Sequence, residues 1–334
     1  MGSKKRLSWK EIFLLNYINE NVDNLGKALE IKRKNMPLKL FRYRALNSQK
    51  NMDRLYNEIA NAEIYMACPD AFNDPFDSRS VINEESLNKI IRDKDRIRGN
   101  LKNKLNDGEL VEIFEHKNWV VKLLKLLSDK YGIKGLPDDD RIEEMDAIEV
   151  AIEVNKAVNK LTHSLCRVAC FTESMDNLPM WNHYASEHEG VCLEYDIRKI
   201  ENIYTINRFL PVFYVKELPN VVGAFLENNI NGFTLCDYVF MHKLSDWKYE
   251  KEWRLMFNVG CWFPPLEQLA DIDESVWEGH ELKSFIRPSK IYLGYRIGEV
   301  CEKFIRTICK KYGIVVVKMK CTESGLEIEE ETGE

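Results

Sequence analysis

The hydrophobic pattern of this chain changes its period twice. Two short runs within residues 38–68 alternate apolar and polar side chains, which is typical of β-strands. Residues 84–165 are highly charged, and their apolar positions recur every three or four residues, as they do along one face of a helix. The two-residue period returns at residue 167 and persists to about residue 320. These changes predict a strand-rich core that is interrupted by a helical insertion at residues 84–165.

The segments with a two-residue period predict the strands of this core. We place them at residues 38–45, 63–68, 167–172, 190–197, 210–216, 252–258, 290–294 and 314–320. Apolar spacing predicts helices at residues 52–59, 180–186, 233–243 and 297–312. Because strands and helices do not alternate strictly, we expect an α+β fold with a mixed or antiparallel sheet, not a doubly wound parallel one.

The two ends of the chain differ from this core. Ser8 and Glu11 form a capping box, after which apolar residues at helical spacing predict one N-terminal helix that ends near residue 36 and packs on the core. Residues 37–322 are expected to form a single domain that includes the insertion. The Glu-rich residues 323–334 are expected to form a disordered acidic tail.

Composition narrows the class of protein. The net charge of −6 argues against a surface coated with positive charge for nucleic acid, although a local basic cleft is compatible with it. No run of about 18 apolar residues is present, so we expect no membrane association. The nine cysteines are scattered, several of them within apolar runs, as expected for the reduced thiols of a cytoplasmic protein.

The segment at residues 247–254 carries the most unusual polar residues. If it is extended, Glu250, Glu252 and Arg254 share one face of a strand. Two acids aligned with an arginine suit the binding of a ribose, because a carboxylate can hold a sugar hydroxyl and offset the charge of an oxocarbenium ion. The alternative is a solvated strand face with cross-strand salt bridges.

Two arginines lie near the end of the first predicted strand. Arg42 and Arg44 share a face with Leu40. Their guanidinium forks suit the binding of a diphosphate. The alternative is an ion pair with Glu63 or Asp70.

A group of hydroxyl and aromatic residues follows the predicted strand at residues 167–172. Thr172 and Ser174 place hydroxyls at its end, and Trp181, His183 and Tyr184 lie in the short helix that comes next. The Trp and Tyr rings could stack on a planar base or nicotinamide, and the imidazole could orient a sugar hydroxyl. The alternative is that these side chains pack in the core.

The loop at residues 69–77 is rich in turn-forming residues. Asn73, Asp74 and Asp77 could bind a metal or order the wall of a cleft. Asx turns and helix caps use such residues readily, so we favour a structural role for them.

A loose zinc-finger spacing is also present, at Cys166, Cys170, His183 and His188. Four residues of predicted strand separate the two cysteines by roughly 13 Å, which is too far for two thiolates on one tetrahedral ion. We therefore expect no metal site.

Several motifs in this order resemble a bacterial family, domain of unknown function 2971. They are LFRYR at residues 40–44, FNDPFD at 72–77, MWNHYA at 180–185, EGVC at 189–192 and YEKEWR at 249–254. The resemblance covers about residues 38–320, interrupted by the helical insertion. The family name implies no reaction.

The order of elements is also distantly similar to that of ADP-ribosyltransferases, in which an arginine strand is followed by a hydroxyl-bearing strand and a late Glu-x-Glu strand. This similarity implies an enzyme that uses NAD as its substrate. Arg42 or Arg44 would anchor NAD, and Glu252 would be the catalytic glutamate. Glu250 would orient the nucleophile of the acceptor.

The same similarity implies supporting residues and a biological setting. Thr172 or Ser174 would brace the site, and Tyr184 would stack against nicotinamide. Proteins that resemble this family look like effectors of bacterial phage-defence and toxin loci. This implies transfer to a macromolecule, nucleic acid or protein, or simple hydrolysis of NAD.

Two other functions remain open. A nucleic-acid-binding or nucleic-acid-processing protein would hold phosphates with arginines and the lysine-rich insertion, and would stack bases on two rings. The residues concerned are Arg42, Arg44, Arg254, Trp181 and Tyr184. A non-catalytic sensor would contact a partner protein through the helical insertion and would not need Glu252.

Overall fold

The computed structural model describes residues 6–18, 22–102, 105–130, 136–228, 232–258 and 281–329. The described strands are β1 (Lys39–Arg44), β2 (Glu63–Met66), β3 (Cys166–Thr172), β4 (Val191–Asp196), β5 (Phe209–Pro211), β6 (Phe213–Val215), β7 (His242–Leu244), β8 (Glu252–Asn258), β9 (Glu281–Ser284), β10 (Lys290–Leu293), β11 (Val315–Thr322) and β12 (Gly325–Ile328). The described α-helices are α1 (Trp9–Tyr17), α2 (Val22–Asn35), α3 (Gln49–Tyr56), α4 (Glu84–Arg92), α5 (Lys94–Asn100), α6 (Asp107–Phe114), α7 (Trp119–Lys130), α8 (Asp139–Glu144), α9 (Ala147–Leu165), α10 (Leu178–Tyr184), α11 (Ile203–Asn207), α12 (Val221–Asn228), α13 (Gly232–Phe240) and α14 (Glu299–Lys311). None of these helices combines the length and the apolar character that a bilayer span requires.

An eight-stranded sheet forms the centre of the fold, in the order β12-β11-β10-β4-β1-β3-β8-β5. β10 and β11 are parallel, and the other neighbouring strands in this order are antiparallel. Two further ribbons pair β2 with β9 and β6 with β7. The expected α+β fold with a mixed sheet is confirmed.

The sheet is buried on both faces, and the alternation of side chains along its strands explains how. Leu40 of β1 and Leu255 of β8 enter one hydrophobic core. Met256, the next residue of β8, enters a second core together with Val168 of β3. Each apolar side chain of this size stabilises the fold by about 1.5–3 kcal/mol when it is fully buried.

The helical insertion packs on the second core. Helices α4 to α9 occupy the described parts of residues 84–165, as the sequence predicted. The apolar positions that predicted these helices are buried, among them Leu123, Leu127, Val150, Val154 and Val158. The grouping of residues 37–322 into one domain stays a prediction.

The N-terminal segment forms two helices, not the single helix that was predicted. Ser8 and Glu11 make the expected capping box at the start of α1. This helix ends at Tyr17, whose hydroxyl donates to Asp237 at 2.6 Å and so ties α1 to the core. The apolar spacing continues from α1 into α2, so spacing alone does not reveal that there are two helices.

One strand prediction was wrong, and so was part of the prediction of a disordered tail. The predicted strand at residues 210–216 is divided between β5, which pairs with β8, and β6, which pairs with β7. Pro211 has no amide hydrogen to extend the β5 ladder, and the amide of Phe213 donates to Met241 instead. Residues 325–328 of the predicted tail form β12, which begins at Gly325 with a φ of +141° and pairs with β11. Residues 330–334 of that tail lie outside the described residues.

The sheet divides between β1 and β3. β1 pairs with β4 along its whole length, and β3 pairs likewise with β8. Among the described residues, the pairing of β1 with β3 is confined to Phe41 and Thr172. Further along β3, Val168 exchanges hydrogen bonds of 2.8 and 2.9 Å with Ala67, which follows β2. A gap between the two halves of the sheet therefore opens beside Phe41 and Thr172.

Candidate active-site cleft

A cleft of about 440 Å³ occupies the gap between β1 and β3. This volume lies within the range of about 300–1,000 Å³ that is usual for ligand sites. Its lining includes two groups of charged side chains. We call Arg42, Arg44, Lys50 and Arg54 the arginine wall, and Asp77, Lys243, Glu250 and Glu252 the carboxylate wall.

Arg44 of the arginine wall is already paired within the protein. Its guanidinium donates through Nη2 and, at 3.1 Å, through Nε to Glu58 Oε1. The other oxygen of Glu58 accepts the hydroxyl of Tyr195 at 3.0 Å. Glu58 lies in a π-helical turn, residues 57–61, that extends α3. An ion pair is thus present, as in the alternative considered from the sequence, but its partner is Glu58 and not Glu63 or Asp70.

Arg42 retains hydrogen-bonding capacity. Its Nη2 donates to the carbonyl of Tyr65 at 2.8 Å, whereas its Nη1 has no partner among the described residues. The side chain is 7% exposed, and burial together with the charge of Arg44 lowers its pKa to about 10. A buried cation with an unpartnered donor is costly, and an anion in the cleft would remove that cost. Arg42, not Arg44, is therefore the arginine available to a ligand.

Two further cations extend this wall along α3. The guanidinium of Arg54 lies 3.5 Å from the ring centroid of Tyr65, and its Nε also has no partner among the described residues. Lys50 is exposed at the edge of the cleft. Three arginines and a lysine line this wall, and Glu58 pairs with two of the arginines, so the wall is positively charged.

The carboxylate wall is built where a 3₁₀ turn, Ser245–Glu250, meets β8. Lys251 adopts a left-handed conformation with a φ of 45°, so the strand begins only at Glu252. Glu250 therefore lies in the turn before the predicted strand, and the condition that it is extended together with Glu252 and Arg254 is not met. The turn nevertheless brings the carboxylates of Glu250 and Glu252 to the same ammonium group, that of Lys243.

Lys243 joins three acids. Its Nζ lies 2.6 Å from Glu250, 3.3 Å from Glu252 and 3.2 Å from Asp77. The predicted helix at residues 233–243 ends at Phe240, so that Lys243 lies in β7. Burial alone would lower the pKa of Lys243, but the charges of Glu252 and Asp77 outweigh it and raise that pKa.

Arg254 lies behind the cleft and does not line it. It is 1% exposed, and it donates to both oxygens of Glu252 at 2.8 and 3.0 Å and to Asp77 at 2.8 Å. Its remaining nitrogen, Nη1, donates to Ser78 Oγ and to the carbonyl of Phe240. The expectation that Arg254 binds a ligand is therefore corrected, because its guanidinium is fully engaged in fixing Glu252 and Asp77.

The environment separates the pKa values of the two glutamates. Burial, reinforced by the charge of Glu252, raises the pKa of Glu250 to about 7. Burial would also raise the pKa of Glu252, but the positive charges of Arg254 and Lys243 outweigh it and hold the pKa well below its usual range. Near neutral pH, Glu252 is thus ionised while Glu250 can either hold or release a proton.

Side chains from three other segments complete this end of the cleft. Tyr184 of α10 donates to Glu250 at 2.6 Å, and Asn73 lies 3.4 Å from the Tyr184 hydroxyl. Thr172 donates to the backbone carbonyl of Glu250 at 2.6 Å. His183 is exposed and lines the cleft. The hydroxyl of Tyr184 thus helps to fix the carboxylate of Glu250, and this role is separate from the stacking that was expected of its ring.

Besides Arg254, three predicted site residues lie away from the cleft. Trp181 is fully buried, and its indole donates to the carbonyl of Met175 at 2.8 Å, so it cannot stack on a ligand. The hydroxyl of Ser174 donates to Asp176. Asp74 is buried and accepts the amide of Phe76 at 2.9 Å, which is the structural role favoured for this loop.

The sequence did not indicate four residues of the two walls or their support: Lys50, Arg54, Glu58 and Lys243. Lys50, Arg54 and Glu58 belong to one amphipathic helix and its extension, whose polar face carries no motif. The only sequence signal for Lys243 was its closeness to Glu250, which follows seven residues later. That signal was not informative, because residues 233–243 were predicted to be helical.

The fold and the cleft together define an α+β protein with a charged cleft at a split in its central sheet. Residues 180–255 match the family described as "Protein of unknown function (DUF2971)". This confirms the resemblance to that family, and the matched segment contains Tyr184, Lys243, Glu250 and Glu252. Comparison with curated proteins and with solved structures gave no match.

Proposed function

We propose that this protein is an ADP-ribosyltransferase-like enzyme that binds NAD in the cleft and breaks its bond between nicotinamide and ribose. The observation that carries the proposal is that two glutamates with separated pKa values face the same cleft as an arginine with an unpartnered nitrogen. This combination supplies an anion site and an acid–base pair within one ligand-sized space.

The arginine wall fits the diphosphate of NAD. Nη1 of Arg42 supplies a buried, unpartnered donor, and Arg54 supplies a second cation beside it. Phe41 pairs with Thr172, which pairs with Glu252, so the backbones of the two walls are about 10 Å apart, or two strand spacings. A ligand held by its diphosphate at Arg42 would therefore place a ribose near the carboxylates.

Glu252 is suited to stabilising the reacting ribose. As the bond from the ribosyl carbon to the nicotinamide nitrogen breaks, its electron pair leaves with nicotinamide and positive charge develops on the ribose. A carboxylate that stays ionised, as Glu252 does, lowers the energy of that cation. The bidentate contact with Arg254 fixes its position before the ligand binds.

Glu250 is suited to accepting a proton. The nucleophile, either water or a group on a macromolecule, forms the new bond to the ribosyl carbon and gives up one proton. A carboxylate with a pKa of about 7 can take that proton at neutral pH. Tyr184 and Lys243 are positioning residues, because each holds one oxygen of Glu250 at 2.6 Å.

The cellular setting is part of the proposal. The eight cysteines that the structure describes are free thiols, which suits a reducing compartment such as the cytoplasm. Consumption of NAD or modification of a macromolecule there would fit the toxin or phage-defence setting expected from the sequence.

The test is release of nicotinamide from NAD by the purified protein. We expect release by the wild type, loss of at least about a hundredfold in Glu252→Gln, and no change in Glu201→Gln, an exposed glutamate outside the cleft. Thermal unfolding of each variant checks that it is folded. Absence of nicotinamide release by the wild type, together with no shift of its unfolding temperature by NAD, would refute the proposal.

A further inference from the structure

Three aromatic rings contact one another at the mouth of the cleft, beside the carboxylate wall. The ring centroids of His183 and Trp247 are 6.4 Å apart, those of His183 and Tyr249 are 6.5 Å apart, and those of Trp247 and Tyr249 are 6.1 Å apart. His183 lines the cleft, and Lys243 Nζ lies 4.8 Å from the ring centroid of Trp247. Neither Trp247 nor Tyr249 was among the site residues predicted from the sequence.

These rings are accessible, unlike the aromatic residues of the core. His183 is exposed, whereas Trp247 and Tyr249 are half-buried and so present part of each ring to solvent. Their backbone is held in place, because Asn177 at the start of α10 donates to the carbonyl of Tyr249 at 2.6 Å. Partly exposed rings on a fixed backbone are suited to stacking on a planar ligand.

Exposed cations flank the rings on the side away from the carboxylate wall, although the whole chain is negatively charged. Lys248 and Lys251 are exposed in the same turn, and Asp246 is the exposed acid of that turn. Across the cleft lies the positively charged arginine wall. Aromatic rings interleaved with cations are the recurring means of binding single-stranded nucleic acid, whose bases stack while its phosphates pair with lysine and arginine.

We propose that His183, Trp247 and Tyr249 form a stacking platform for the bases of single-stranded nucleic acid. That this nucleic acid is also the acceptor of the ADP-ribosyl group rests on the proposed function. Binding of the nucleic acid to the platform does not depend on that function. His183 and Glu250 line the same cleft, so a base stacked on the platform would lie beside this glutamate. A nitrogen on that edge forms the bond to the ribosyl carbon, nicotinamide leaves with the electron pair, and the proton passes to Glu250.

A single strand fits this platform better than a duplex. In a duplex the bases are paired and stacked on one another, so their faces are not available to protein rings. An acidic protein would satisfy the lysines but would supply no planar groups for the three rings. The platform therefore predicts a preference for unpaired strands over both duplexes and acidic polypeptides.

Binding is measured by fluorescence anisotropy with a fluorescein-labelled single-stranded DNA of about 20 nucleotides, in the absence of NAD. We expect the double variant Trp247→Ala, Tyr249→Ala to bind at least about tenfold more weakly than the wild type. Tyr204→Ala, which removes a ring 63% exposed on α11, is the matched control and should bind as the wild type does. The double variant Lys248→Ala, Lys251→Ala should reduce the dependence of affinity on salt.

Equal binding by the wild type and the ring variant, or no binding by the wild type, would overturn the platform. So would equal competition by poly-glutamate and by unlabelled single-stranded DNA. The role in transfer is read separately, from the mass of the DNA after incubation with NAD, where one added ADP-ribosyl group is expected. If DNA binds through the rings but the wild type releases no nicotinamide, the proposed function fails and the platform stands.

Discussion

Replacing Glu250 with glutamine is expected to change how the stability of the protein depends on pH. Glu250 is 2% exposed and lies beside Glu252, and this burial and charge raise its pKa from an ordinary value of 4.5 to about 7. The native protein therefore binds this proton more tightly than the unfolded chain does. The resulting contribution to the free energy of unfolding is fully present below pH 4.5 and is lost as the pH rises through 7.

The size of the effect follows from the two pKa values. One pKa unit corresponds to about 1.4 kcal/mol, so the interval from 4.5 to about 7 corresponds to about 3 kcal/mol. Most of this, about 2–3 kcal/mol, falls between pH 5 and pH 8. Glu252 does not titrate in this range because its pKa is held low. Lys32, whose pKa is lowered to about 7 by burial, titrates equally in wild type and variant and cancels from their difference.

The assay is urea-induced unfolding, followed by tryptophan fluorescence at several pH values between 5 and 8. The free energy of unfolding of Glu250→Gln, relative to that of the wild type, should increase by about 2–3 kcal/mol from pH 5 to pH 8. Glu201→Gln should show no such change, since its side chain is exposed. Curves for wild type and Glu250→Gln that stay parallel within about 0.5 kcal/mol would refute the reasoning.

Two other substitutions test the geometry around the arginine wall by their effect on the free energy of unfolding. Gly190→Ala should lower the free energy of unfolding by at least about 3 kcal/mol, because the added Cβ would overlap the carbonyl oxygen of Arg44. Gly26→Ala in α2 is the control. It has open space around it and should raise the free energy of unfolding by up to about 1 kcal/mol. Similar effects of the two changes would contradict this packing. Glu58→Gln should lower the free energy of unfolding by about 3–5 kcal/mol, because it leaves Arg42 and Arg44 without their carboxylate. Pyrophosphate should restore part of that loss, and an unchanged deficit in its presence would count against an anion site here.

The strands that frame the cleft were predictable because their burial imposes a strict alternation. β8 has the bounds that the sequence predicted, and Glu252 and Trp253 point to opposite faces of it, as expected. The position of Glu250 was not predictable in this way. Its turn depends on a left-handed conformation at Lys251, which a non-glycine residue adopts only when its surroundings impose it.

The roles of side chains on short helices, and of isolated charged residues, could not be predicted from the sequence. α10 has only seven residues, too few for the helical period to show that Trp181 faces the core while Tyr184 faces the cleft. Lys243 and Glu58 are defined by their partners, which are distant in the chain or carried on other elements. Such contacts depend on tertiary packing and leave no local pattern.

The division of the central sheet has a consequence for ligand selectivity. Its two halves meet at Phe41 and Thr172, and each half carries one of the charged walls. A ligand that touches both walls ties the halves together, so its affinity depends on whether its two charged ends match the width of the gap. If the proposed function holds, the protein would distinguish ligands by the distance between their functional groups, in addition to the identity of those groups.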